Sequence, residues 1–169
     1  MVSIRTVDVE AIIEIPRGSR NKYEIDHGTG EIWLDRLLFT ATQYPADYGF
    51  IPHTLADDGD PLDVLVLLDE PTFPGCHIRV RPVGVFRMRD EKGEDCKVLA
   101  VPATDPRWGE VSDIDDLSAH QLDEIRHFFA VYKELEPGKG TEVVGWAGSR
   151  DAGELITTAR AAAGGPEPA

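Results

Sequence analysis

Cysteine is scarce in this 169-residue chain: there are two, Cys76 and Cys96. They show no CxxC spacing and are too few for a disulfide framework or a cysteine-rich zinc site, so both read as reduced thiols. Long apolar runs are missing as well. None exceeds five residues, the one at 64–68 included, against the roughly 20 that a membrane-spanning helix needs. The start, Met1-Val2-Ser3-Ile4-Arg5-Thr6-Val7-Asp8, lacks the basic and apolar segments of a secretion signal, so the expected compartment is the cytoplasm. Nor is there a basic surplus: 17 Lys plus Arg stand against 31 Asp plus Glu, a formal charge of −14. Binding nucleic acid through an overall field requires the opposite balance, so neither nucleic acid nor a membrane is an expected partner. A small phosphate ligand remains compatible, because bound divalent ions reverse the sign of charge locally. The chain also has no GxxxxGK[ST], GxSxG or HExxH run, which removes the P-loop, the serine-hydrolase elbow and the zinc-protease helix.

Turn formers are plentiful. Sixteen Gly and 12 Pro, many of them between residues 16 and 109, break the chain into short segments. Residues 9–15 read as a strand, and 22–26 with 31–34 flank a Gly28-Thr29-Gly30 turn as a hairpin. Residues 64–68 read as a buried strand. From 78 to 88 the alternation changes phase near Pro82 and Gly84, where a bulge would do it. A turn at 91–94 leads to a strand at 96–101, whereas 40–51 shows neither period. The helical signal comes late: Ser118 is placed to cap, Gln121 to complete a capping box, and Leu122, Ile125, Phe128, Phe129, Tyr132 and Leu135 recur at helix spacing until Pro137-Gly138. A short strand at 141–146 and a helix at about 152–163 follow. One α+β domain over residues 1–163 is expected, with a small barrel as its sheet and a disordered tail at 164–169.

The segment Asp57-Asp58-Gly59-Asp60-Pro61-Leu62-Asp63 places four carboxylates in seven residues. Taken alone it is a solvated loop or a site for a hard divalent cation, since crowded carboxylates repel unless cations intervene. It is not an EF-hand, because Asp63 stands where that loop requires Gly. Asp90 and Asp95 bracket a turn and are expected to face each other across a ladder, with Lys97 on the same face as Asp95. Lys22 and Glu24 share a face by the same logic, and Glu14 can join either acidic cluster. The histidines His27, His53, His77, His120 and His127 show no ligand spacing and read as core or surface residues.

Taken together, Glu14-Ile15-Pro16, Lys22-Tyr23-Glu24, Asp35-Arg36, Tyr44-Pro45, Asp47-Tyr48-Gly49, Asp58-Gly59-Asp60-Pro61-Leu62-Asp63, Arg81-Pro82-Val83-Gly84, Asp90, Asp95-Cys96-Lys97 and Tyr132-Lys133 resemble the family I soluble inorganic pyrophosphatases of the short bacterial type. The match runs over about residues 8–146, departing from the family pattern at Gly140 and Glu142. The resemblance implies an OB-like five-stranded β-barrel with flanking helices, usually a homohexamer. It implies hydrolysis of inorganic pyrophosphate, bound as its magnesium complex, to two orthophosphates by a metal-activated water. Mg2+ is the implied cofactor, with Mn2+ or Zn2+ as substitutes. Asp60 is the implied proton acceptor. Asp58, Asp63, Asp90, Asp95, Glu14 and Glu24 are the implied metal ligands, and Lys22, Arg36, Tyr48, Lys97, Tyr132 and Lys133 the substrate-binding groups. Two other classes fit less: a non-catalytic OB module conflicts with the charge of −14, and a calcium-binding structural protein leaves Lys22, Arg36 and Lys133 without a purpose.

Overall fold

The computed structural model describes residues 5–164. Its elements run β1 (Val9–Ile15), β2 (Asn21–Ile25), β3 (Ile32–Leu37), β4 (Asp47–Ile51), β5 (Leu62–Val66), β6 (His77–Asp90), β7 (Gly93–Pro102), α1 (Ala119–Val131), β8 (Thr141–Gly148) and α2 (Ser149–Ala162), with short 3-10 turns at Pro106–Trp108 and Ile114–Asp116. Strands β1, β4, β5, β7 and β6 pair in that order and β6 pairs back with β1, so five strands close a ring that β8 extends from β6. Of these pairings only β5–β7 is parallel. β2 and β3 form a separate hairpin. This is the α+β domain expected, with a closed ring of strands and two helices. Gly165–Ala169, the greater part of the expected tail, lie outside the described residues.

Alternation explains the ring. Val9, Ala11, Ile13 and Ile15 of β1 are buried while the residues between them are half-buried, the period-two pattern of a strand. β5 is apolar on both faces, and each face has its own cover. Leu62, Val64 and Val66 pack with Ala152, Ile156 and Ala159 of α2, whereas Leu65 and Leu67 pack with Ile125, Phe128 and Phe129 of α1. The expected phase change in β6 is a register shift between Pro82 and Gly84. A bulge there lets one long strand serve β1 with its first half and β8 with its second.

Elsewhere the structure departs from the sequence reading. Residues 47–51 form β4, between β1 and β5, despite showing no clean period. β5 starts at Leu62 and so draws Asp63 into the sheet. α1 ends at Val131, well before Pro137. The chain then continues in i→i+3 turns, with the Glu134, Glu136 and Lys139 amides donating to the carbonyls of Val131 (3.0 Å), Lys133 (2.9 Å) and Glu136 (3.3 Å). Ser118 stands at the N-cap without a side-chain cap bond, so the Ser118–Gln121 box is not formed. A capping box forms instead between Asp113 and Asp116. α2 begins at Ser149 rather than near Ala152.

The ring closes tightly at Gly49, where a Cβ would lie 1.9 Å from the Ile12 carbonyl oxygen. That obstacle is backbone and cannot swing aside. Gly49→Ala is expected to destabilise the protein by about 3 kcal/mol, the upper end of overpacking costs. Urea unfolding measures it, and a loss under about 0.5 kcal/mol, the size of a surface substitution, would show that β1 and β4 can separate freely there.

Candidate active site

A cavity of about 800 Å3 opens where the end of β1, the β2–β3 hairpin, the turn before β5, the start of β7 and the turn after α1 meet. Every site residue expected from the sequence lines it except Asp90. The acidic lining starts at the turn before β5. There the Asp58 carboxylate accepts the Asp60 amide at 3.0 Å, the Ala56 amide donates to the Asp60 carbonyl at 2.8 Å, and Gly59 supplies the positive φ of +87°. An Asx turn of this kind presents both carboxylates outward. The Asp60 carboxylate has no side-chain partner among the described residues.

Asp63 stands opposite Lys97 in the parallel β5–β7 pairing. Lys97 is 2% exposed, and its ammonium donates to the Tyr48 hydroxyl at 2.8 Å and to Asp63 and Asp95 at 3.0 Å each. Three protons meet three acceptors. Burial alone would push this ammonium down, but Asp63, Tyr48 and Asp95 outweigh it and hold its pKa well above the usual range. Lys97 is therefore a fixed internal charge whose three protons are engaged by Tyr48, Asp63 and Asp95. The carboxyl of Asp95 is pushed up by burial and by Asp63, against the pull of Lys97.

Glu14 accepts the Ile25 amide at 2.8 Å. Burial, reinforced by Asp63, pushes its carboxyl from 4.5 up to about 7 despite that hydrogen bond and Lys22. The folded protein therefore binds more protons than the unfolded chain between those two values, so stability falls as pH rises through that window. In the metal-free protein, urea unfolding from pH 5 to 8 is expected to show this fall, and Glu14→Gln to flatten it. An unchanged slope would assign the effect to other groups.

Basic groups line the same cavity, several of them paired with carboxylates. Lys22 and Arg36 are cross-strand partners in the hairpin. The Lys22 ammonium lies 2.9 Å from Glu24 and 3.1 Å from Asp35, so Glu24 is already paired. His27, between the same strands, meets the Phe50 ring edge-on at 4.7 Å and lines the cavity. Lys133 lies 3.3 Å from Asp90 and 3.6 Å from Glu91, and the Tyr132 hydroxyl sits beside it. The hairpin register puts Asp90 opposite Gly93 and Asp95 opposite Met88. The two carboxylates thus do not face each other, because the turn has two residues rather than four. Lys139 also lines the cavity, held by the buried Glu136 at 3.2 Å. Reading α1 on to Pro137 hid Glu136. The signal present in the sequence was the three-residue spacing of Lys133, Glu136 and Lys139.

The cavity lining holds nine carboxylates and six Lys or Arg. Among the described residues, no three His, Cys, Asp or Glu side chains are grouped closely enough to hold a metal ion as they stand. Lys97 lies between Asp63 and Asp95, on the face expected for it. A second cavity, about 850 Å3, lies between the approach to β1 and α2, where Val7, Val9, Pro82 and Ile156 line it together with Arg5, Arg150 and Arg160.

The family model described as inorganic pyrophosphatase matches residues 11–163. The chain belongs to the inorganic pyrophosphatase family. The inorganic pyrophosphatase of Streptomyces coelicolor is 60% identical over 146 residues, 86% of this chain and 90% of that protein. That of Leifsonia xyli subsp. xyli is 57% identical over 147 residues, 87% and 90% of the two chains. The crystal structure of the inorganic pyrophosphatase from Thermus thermophilus superposes with a TM-score of 0.91 at 45% identity, covering 97% of this chain and all of that one. As a member of this family the chain is a hydrolase of inorganic pyrophosphate.

Proposed function

We propose that this pyrophosphatase cleaves its substrate to two orthophosphates with Mg2+ as cofactor, Mn2+ or Zn2+ being substitutes. The observation that carries the proposal is one cavity lined by nine carboxylates together with six Lys or Arg, oxygen ligands for cations beside donors for phosphate. Pyrophosphate is a polyanion and the chain carries −14, so the substrate arrives as its magnesium complex. The residues suit a hard cation by their chemistry: the cavity lining offers carboxylate oxygens and no thiolate. Burial, with Asp63 adding to it, pushes up the carboxyls of Glu14 and Asp95. Asp58, Asp63 and Asp95, with Glu14, are the residues that would hold the ions. Asp90 and Glu24, which the family resemblance adds, are held by Lys133 and Lys22. When bound, such ions neutralise phosphate charge and lower the pKa of a water toward working pH.

The chain's own groups do the rest. Asp60, free of any protein donor, takes the proton of the attacking water. Arg36 grips phosphate oxygens through parallel N–H groups. Lys22 and the Tyr48 hydroxyl, whose proton is not used on Lys97, sit on the phosphate under attack, while Tyr132 and Lys133 hold the departing one. Phosphoryl transfer asks mainly for such positioning and charge neutralisation. The strand ring is read as an OB-like barrel, and the enzyme as a cytoplasmic homohexamer. Exposed Ile32, Trp33, Leu34 and Leu37 on β3 support association, because large apolar side chains grouped on a surface mark contact areas.

Phosphate release from pyrophosphate, titrated with Mg2+ and then with chelator, tests the reading. Release is expected to rise with Mg2+ and to vanish on chelation, with ATP hydrolysed at least about 100-fold more slowly, as a site contacting one diphosphate would discriminate. Release that is unaffected by chelator, or absent at every Mg2+ concentration, would overturn it.

A further inference from the structure

We infer that Glu136 is a positioning residue for phosphate recognition, one buried carboxylate that holds Arg36 and Lys139 so that both cations face the cavity. The inference rests on the pyrophosphatase reading of that cavity and adds a residue to it. Glu136 is 5% exposed and is absent from the cavity lining, whereas Arg36 and Lys139 both line it. It therefore acts through them.

The local winding explains the placement. After α1 the chain turns through separate i→i+3 hydrogen bonds, and Gly138, with φ +73°, redirects it. Lys139 is thereby left in contact with the Glu136 carboxylate. Oε1 of Glu136 lies 2.9 Å from Arg36 Nε and 3.2 Å from Lys139 Nζ, and Oε2 accepts from Arg36 Nη2 at 3.3 Å. The carboxylate lies against the Nε–Nη2 side of the guanidinium, accepting from Nη2 and standing at ion-pair distance from Nε, whose proton makes no hydrogen bond, while Asp35 accepts from Nη1. Beyond those two hydrogen bonds, one N–H on each Nη remains. Those two form the outer fork that grips a phosphate bidentately. Two cations brought this close repel each other, and the shared negative charge offsets that repulsion. With the charge gone, the guanidinium is free to turn about Nε and Lys139 to move away from it.

The test uses the full chain with Glu136→Gln and Glu136→Asp, each made in the wild type and in an Arg36→Ala, Lys139→Ala background. Steady-state hydrolysis of pyrophosphate is measured at saturating Mg2+, and orthophosphate affinity by calorimetry. In the wild type, Glu136→Gln is expected to weaken orthophosphate binding about tenfold and raise KM comparably, as loss of one charge-assisted contact does. Glu136→Asp, which keeps the charge, recovers part of that loss. In the doubly substituted background, Glu136→Gln is expected to change affinity less than twofold, because the groups it positions are gone. An equal fold-loss in both backgrounds would show a merely structural role and overturn the inference, as would unaltered affinity in the single variant. A wild type that binds orthophosphate yet releases none from pyrophosphate would sink the functional reading alone, with the affinity measurements still deciding Glu136. A wild type that binds no orthophosphate overturns both.

Discussion

Asp60→Asn is expected to lower turnover of pyrophosphate by two to four orders of magnitude, roughly the range over which a positioned general base contributes. The fold should not change, because the structural duties of residue 60 are carried by its backbone. Its amide donates to Asp58 at 3.0 Å and its carbonyl accepts from Ala56 at 2.8 Å, and Asn retains both. The side chain is exposed in the cavity, without a protein partner among the described residues, so its removal breaks no network. Amide and carboxylate have nearly the same shape and differ in basicity, which isolates proton transfer from packing. Steady-state rates with a thermal midpoint measured beside them check this outcome. Near wild-type turnover would take Asp60 out of the proton transfer. An unchanged dependence on Mg2+ concentration is the accompanying expectation, since Asp58, Asp63 and Asp95 are untouched.

Lys97→Met is expected to cost the metal-free protein about 3–5 kcal/mol, the usual consequence of removing one partner from a buried charge cluster. Lys97 is 2% exposed and bonds Asp63, Asp95 and Tyr48 at 3.0, 3.0 and 2.8 Å. Methionine fills the space but leaves two carboxylates side by side with no neutralising charge. The carboxyl of Asp95, already pushed up by burial and by Asp63, then loses the pull of Lys97 that lowers it. The sign follows: the variant's deficit is smallest at low pH, where both are protonated, and grows as pH rises through the raised value. Mg2+ should restore part of the loss, because a cation that binds only the native state stabilises it by mass action. Urea unfolding at pH 5 and pH 8, with and without Mg2+, reads all three effects. A deficit independent of pH and of Mg2+ would reduce Lys97 to a packing residue.

Some of this site was legible along the chain because its spacing is local. The turn from Asp58 to Asp63 announces itself by four carboxylates in seven residues, and two-residue spacing pairs Lys22 with Glu24 and Asp95 with Lys97, as the measured contacts show. β4 was harder to read. It is buried between two strands, so its segment needs no polar face, and Tyr44, Pro45 and Gly49 mask any period. The end of α1 was misjudged for a different reason. Apolar Tyr132 and Leu135 continue the helical spacing, yet the chain turns off at Val131 and Leu135 ends up 63% exposed. That early exit brings Lys133 and Lys139 to the cavity and Glu136 behind it onto Arg36. The register at Asp90 and Asp95 likewise depended on whether the turn held two residues or four, which separates facing carboxylates from carboxylates with different partners.

By itself, then, the sequence determined the family, the α+β class and nearly the whole roster of charged groups, because short-range spacing along strands and turns carries those. The partnership of charges was decided only by the tertiary structure. Strands distant in the chain had to close a ring before Lys97 could stand between Asp63 and Asp95, and the turn after α1 had to dock on the β2–β3 hairpin before Glu136 could meet Arg36. A charge selects its partner by distance and by exclusion from water, and neither is set until the chain has packed.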